Sequence, residues 1–163
     1  MTLTDTHAHL YWDKFNEDRD EVIARAAEEG LTRILVPGTT LETSLASVKL
    51  AASQPIIFSA IGIHPTDALL WTEKTCAELE KLAKSHPTKV VAIGEIGLDY
   101  YWDRAPHSLQ KEILEKQLSL AERLNLPIVL HLREKNDAPK GNCAADLLEM
   151  LEKWVTSLKS GAH

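Results

Sequence analysis

The segment IIFSAIGI, residues 56–63, is a nearly unbroken apolar run bounded by Pro55 and by His64-Pro65. A strand without a polar face is hidden on both sides, as in a parallel sheet covered by helices and unlike an antiparallel sheet with one wet face. The rest of the chain fits that placement. A first strand is expected at about Leu3 to Leu10, then a helix from Glu17 to Glu29 that Asn16 caps and Gly30 ends. Arg33 to Pro37 reads as the second strand, and Thr39 with Glu42 as a capping box for a helix reaching Ser53. Ile56 to Ile63 is the third strand. Thr75 and Glu78 form another capping box for a helix to Ser85, and Val90 to Gly94 is the fourth strand. A helix from Ser108 to Asn125 carries Leu109, Ile113, Leu120 and Leu124 as an apolar stripe. Pro127 to Leu132 is the fifth strand, and a last helix spans Ala144 to Lys159 with Gly161 as its terminator.

About five β/α units with short loops predict an α/β fold, either an open doubly wound sheet or an arc of a barrel, and the pattern alone does not choose. A closed eight-stranded barrel takes about 250 residues, so a chain of 163 falls short by about three units. No linker or low-complexity tract interrupts the pattern, and residues 1–163 read as one domain. The 44% hydrophobic and 26% charged content is that of an ordinary globular protein. No signal peptide precedes His7 and no apolar run approaches the roughly 18–20 residues of a membrane span, so a cytoplasmic location and no membrane contact are expected. Cys76 and Cys143 lie far apart outside any C-x-x-C pair and are expected to be free. A net charge of −6 argues against broad electrostatic binding of nucleic acid, so an anionic substrate would need cations other than side chains.

Chemistry-bearing residues collect where the strands end, the functional edge of parallel α/β proteins. His7 and His9 in LTDTHAHL are one residue apart, and a strand puts alternate side chains on one face, offering both imidazoles to one ion. His64 follows the third strand, Glu95 the fourth, and His131 ends the fifth. Imidazole suits zinc and similar ions, and a carboxylate can bridge two cations about 3.5–4 Å apart. Glu95 is therefore the candidate bridge and catalytic carboxylate, with Gly94 and Gly97 permitting a sharp bend around it; the plainer alternative is a helix cap or surface acid. His131 has a core histidine as its alternative. His64, stiffened by Pro65, reads as a donor to a substrate oxygen or as structural. Arg133 shares a face with His131 and could meet a phosphate or carboxylate, or be a solvated loop arginine. Asp5 could orient an imidazole, and Asp99 is assigned to the same supporting layer. Tyr100, Tyr101 and Trp102 read as packing or, over the mouth, as a surface for a base or sugar. His86, His107 and His163 read as surface residues.

The motifs DTHAHL, GIHP, GEIGLDYYW and LPIVLHLRE, in this order and spacing, resemble the TatD family of metal-dependent deoxyribonucleases over the whole chain. The resemblance implies an incomplete TIM (β/α) barrel of the amidohydrolase-like, metallo-dependent hydrolase type, one or two divalent cations (Zn, Mn or Mg), and hydrolysis of phosphodiester bonds in DNA. It implies His7, His9 and Glu95 as ligands of a first cation, Glu95 and His131 as ligands of a second, and His64 and Arg133 close to a bound phosphate. Two departures stand out. Glu134 occupies a position where the family usually has aspartate, and the H-x-F-S-G-like and E-T-D-like motifs of the sixth and eighth strands do not occur. The chain is therefore expected to match about the amino-terminal two thirds of such an enzyme. It would lack one ligand of each cation and the carboxylate that helps activate water, which leaves two other functions in view. One is an amidohydrolase acting on a small cyclic amide or lactone; the other is a non-catalytic metal- or partner-binding fragment that self-associates through unpaired sheet edges.

Overall fold

The computed structural model describes residues 2–102 and 104–160, so Gly161 and His163, a helix terminator and a surface residue in the sequence reading, lie outside the described residues. Five strands alternate with five helices: β1 (Leu3–Asp5), α1 (Arg19–Glu28), β2 (Leu31–Pro37), α2 (Leu41–Ser53), β3 (Ile57–Ile61), α3 (Glu73–Ser85), β4 (Val90–Asp99), α4 (His107–Leu124), β5 (Ile128–Arg133) and α5 (Asn142–Ser160). Neighbouring strands are all parallel, and their order in the sheet is their order in the chain. A doubly wound sheet reverses its order at a switch point, so this unbroken order is that of a barrel arc. The five strands form a curled half-barrel carrying its helices, which settles the choice the pattern left open. No helix among the described residues is long and apolar enough to cross a membrane.

The main core joins β3 and β4 to α3, α4 and α5 through Ile61, Leu79, Ile93, Leu98, Leu114, Leu120 and Leu147, all buried. A smaller cluster under β1 and β2 holds Leu10, Ile23, Ile34, Val36, Ala51 and Ile57. Beyond β5 the apolar surface is open: Leu130 and Leu132 on that strand and Leu148, Val155 and Leu158 on α5 are exposed.

Several local expectations need correction. β1 stops at Asp5, so His7 and His9 stand in the loop after it, whereas β4 runs ten residues to Asp99 and takes Glu95 into the strand. The α2 cap is Thr40 paired reciprocally with Thr43, one residue after the expected Thr39/Glu42 pair, and the α3 cap is Thr72 with Thr75, three residues before the expected Thr75/Glu78 pair, because a threonine hydroxyl at N3 serves as well as a carboxylate. Asn16 does not cap α1; its side chain bonds Asp13 and accepts from Arg19. Gly30, at φ 94°, does sit just past that helix in the left-handed region.

The bend expected after Gly94 is a bulge inside β4. Ile93 pairs with Ile128 and Ile96 with Leu130, so one extra residue is accommodated at Gly94-Glu95, whose peptide bond is cis. From there Glu95, Gly97 and Asp99 share one face, while Ile96 and Leu98 face the helices. A side chain at Gly97, at φ 146°, would collide with the His131 carbonyl, so glycine is what lets β5 lie this close.

Candidate metal centre

Loss of the strand at His7 does not scatter the histidine pair. Ala8 between them donates its N–H to the Leu35 carbonyl of β2, prolonging the ladder, and Asp5 Oδ1 accepts the His7 N–H. Asp5 thus holds the His7 backbone and not an imidazole. The two Nε2 atoms lie 3.1 Å apart, and they are 3.3 Å (His7) and 3.8 Å (His9) from Glu95 Oε2. Donors of one tetrahedral ion, each about 2.0–2.1 Å from it, stand about 3.3 Å from one another, so these three atoms have the spacing of a shared cation site.

The other Glu95 oxygen faces the second group. His131 Nδ1 is 3.0 Å from Glu95 Oε1, and the rings of His64 and His131 are 4.2 Å apart. Two sets of donors that could hold an ion therefore meet at one carboxylate: His7, His9 and Glu95, and His64, Glu95 and His131. Glu95 is buried, with an open pocket of about 280 Å³ above it that Trp12, Thr39, Thr66 and Asp67 also line.

Hydrogen bonds on the far side of each ring set which nitrogen is bare. His9 Nδ1 donates to the Pro37 carbonyl at 3.0 Å, leaving the Nε2 lone pair for the site. His131 Nε2 donates to Asp99 Oδ2 at 3.0 Å, turning Nδ1 toward Glu95. Asp99 is thus the support the sequence suggested. Its other oxygen accepts the backbone N–H groups of Tyr101 and Trp102, so one buried carboxylate carries both the His131 ring and the loop beyond β4. His64 is different: its Nδ1 accepts from the Thr66 N–H, so the proton sits on Nε2 and the ring is a donor.

The charges follow from burial and neighbours. Burial and the nearby His131 push His64 down to about 4, so it is neutral near pH 7. Burial and His7 lower His9 as well. For Glu95 burial works toward a higher pKa, but the His131 hydrogen bond and the surrounding imidazoles outweigh it and the carboxyl is lowered. His131 is the mirror image: burial lowers it, Glu95 and Asp99 outweigh that, and it is raised. The site thus holds an ionised carboxylate that needs positive charge, supplied by a proton on His131 or by a cation.

Arg133, two residues beyond His131 on β5, is not among the residues that line this pocket; its guanidinium is 3.7 Å from the Tyr101 ring centroid and its Nε 2.8 Å from Asp137. Glu134, the departure from the family pattern, accepts the Cys143 and Ala144 N–H groups at the start of α5 and is a helix cap. A larger cleft of about 430 Å³ opens beside Tyr100, but its carboxylates are engaged, Glu134 by α5 and Asp146 by Lys111 and Tyr100. Cys76 and Cys143 are free, His107 stacks on Tyr100, and His86 Nδ1 is bonded to the Leu82 carbonyl.

Three supporting residues were not foreseen. Gln117 grips both the N–H and the C=O of Ile63, next to His64, and Gln110 grips both groups of Asp99. The two amides are seven residues apart on one face of α4, and both are fully buried. Two glutamines at that spacing within an apolar stripe were the available signal. On the other side, Arg19 donates to the carbonyls of Leu10, Tyr11 and Trp12 and so holds the loop behind His9.

The family described as TatD related DNase matches residues 4–163. The uncharacterized metal-dependent hydrolase YabD of Bacillus subtilis is 42% identical over 83% of this chain and 52% of its own length. A protein named 3′-5′ ssDNA/RNA exonuclease TatD from Pantoea sp. is 39% identical over 96% of this chain and 56% of its own. The crystal structure of YjjV, a TatD homologue from Escherichia coli, superposes with a TM-score of 0.81 at 31% identity, covering 93% of this chain and 56% of that one. The chain spans about half the length of the curated relatives it matches.

Proposed function

The chain belongs to the TatD related DNase family, and from that premise we propose that its site serves the metal-dependent hydrolysis of phosphodiester bonds, with single-stranded DNA as the substrate class. The observation that carries this reading is Glu95, one buried carboxylate whose two oxygens each face a separate group of imidazoles. Its donors suit one or two divalent cations, and the preponderance of imidazole favours zinc over magnesium or manganese. Bound there, such cations supply positive charge for a phosphate oxygen and a lowered pKa for water.

The chain's own groups have distinct parts in that reading. His7, His9, Glu95 and His131 hold the charge at the pocket floor, with His9 and His131 fixed by Pro37 and Asp99 so that the correct nitrogen is bare. His64, neutral and protonated on Nε2, donates to a phosphate oxygen; a cationic ring there would compete with the metal. Arg133, on the same face of β5 as His131 and paired with Asp137, offers a guanidinium to an outlying phosphate of the substrate. Trp12 stacks on His9 at 4.7 Å and walls one side of the pocket against water.

The test uses protein stripped of metal, then supplied with Zn, Mn or Mg and given end-labelled single-stranded DNA, a nitrophenyl phosphodiester and a cyclic amide. Metal-dependent cleavage of the two phosphodiesters is the expected result. Glu95→Ala should weaken metal binding by about a hundredfold or more and abolish that cleavage. Turnover of the amide alone, or undiminished phosphodiester cleavage by the variant, would overturn the assignment.

A further inference from the structure

The loop after β4 carries two aromatic side chains that the metal centre does not use. Tyr101 and Trp102 are exposed, Trp102 at 44%, and they meet edge to face at 4.8 Å. Arg133 covers the Tyr101 ring at 3.7 Å and lies 5.7 Å from the Trp102 centroid, while Arg104 approaches the same indole at 5.5 Å. Two guanidiniums thus stand beside an exposed tryptophan, with Arg133 also paired to Asp137 at 2.8 Å. Trp12, equally exposed, shows what an occupied indole looks like: His9 lies nearly parallel on it at 4.7 Å and the Lys14 ammonium stands 4.6 Å away. No ring lies parallel on Trp102 among the described residues.

The position of this patch is set by the metal site. Asp99, which orients His131, also accepts the backbone N–H groups of Tyr101 and Trp102. An exposed aromatic face flanked by cations is how proteins hold unpaired bases without reading their sequence, the ring stacking and the guanidiniums meeting the backbone phosphates. Resting on the phosphodiesterase reading above, we propose that Trp102, flanked by Arg104 and Arg133, stacks a base of a single-stranded nucleic acid close to the phosphate held at the metal centre. A duplex hides its base faces, so the patch selects single strands. It also selects nucleic acid over phosphodiesters that carry no base.

The experiment compares binding of fluorescently labelled oligo-dT and an abasic strand of equal length, in EDTA, by fluorescence anisotropy. The wild-type protein should prefer oligo-dT by about tenfold; Trp102→Ala should lose that preference and Trp102→Phe should retain most of it. Equal binding of the two strands by the wild type, or an undiminished preference in Trp102→Ala, overturns the platform. A Trp102→Ala protein that keeps its preference but sediments as a smaller species also overturns it and reassigns the patch to protein contacts. The underlying hydrolase reading fails separately, when metal-loaded wild type cleaves neither oligo-dT nor a nitrophenyl phosphodiester.

Discussion

The two groups of imidazoles that share Glu95 are held by opposite means. His64 and His131 rest on buried amides and a buried carboxylate: Gln117 grips Ile63, Gln110 grips Asp99, and Asp99 grips His131. His7 and His9 stand in a loop whose support is Arg19, a part-exposed side chain donating to three carbonyls, and His7 itself is exposed. Water can take over for the arginine but cannot reach the glutamines. One half of the site is therefore built with the core, and the other is laid on its surface.

The largest expected effect comes from striking the buried half. Gln117→Leu leaves the N–H and C=O of Ile63 without partners, at about 1–3 kcal/mol for each group, so the melting temperature should fall by about 10 °C. A fall of only a degree or two would mean that water enters, and the contrast between the halves would collapse. A second effect separates them by pH. His64 titrates at 6.5 when unfolded and at about 4 in place, so across that window the unfolded chain binds the extra proton and acid favours unfolding. His131 has the opposite sign: its raised pKa stabilises the fold below 6.5, and that stability is lost as pH rises through the folded value. In metal-free protein, His64→Asn should therefore flatten the acid limb of stability between pH 6.5 and 4 by about 2 kcal/mol, read from urea midpoints. An unchanged slope would show that His64 is wetter than its packing implies. The smallest effect belongs to the exposed half: Arg19→Met should cost less than about 1 kcal/mol in stability while weakening metal binding measurably, since it loosens the loop behind His9. A loss as large as that of Gln117→Leu would erase the distinction.

The same division governs what could be read from the sequence. Strand and helix order, the parallel sheet and the collection of His7, His9, His64, Glu95 and His131 at one edge follow from hydrophobic period and position, and the structure brings these donors to one pocket. What the sequence obscured lies in hydrogen bonds between distant residues. His7 and His9 face together because Ala8 bonds Leu35, although β1 has already ended. Glu95 points into the pocket because a bulge shifts β4 against β5, and a count along one strand cannot reveal a register that two strands decide. The glutamine clamps were hidden for the same reason, since 54 residues separate Gln117 from Ile63. Whether sequence should have chosen arc over open sheet is also a question of pairing: both share the same β/α rhythm and differ only in which strands touch.

The Asp99 carboxylate is rigid and planar, so its two oxygens move together. Anything that presses on the residue 101–102 turn therefore acts as a lever on the His131 ring, rotating the nitrogen that Glu95 faces. The grip at the rim and the aim of the imidazole at the floor are, mechanically, two ends of one short rod.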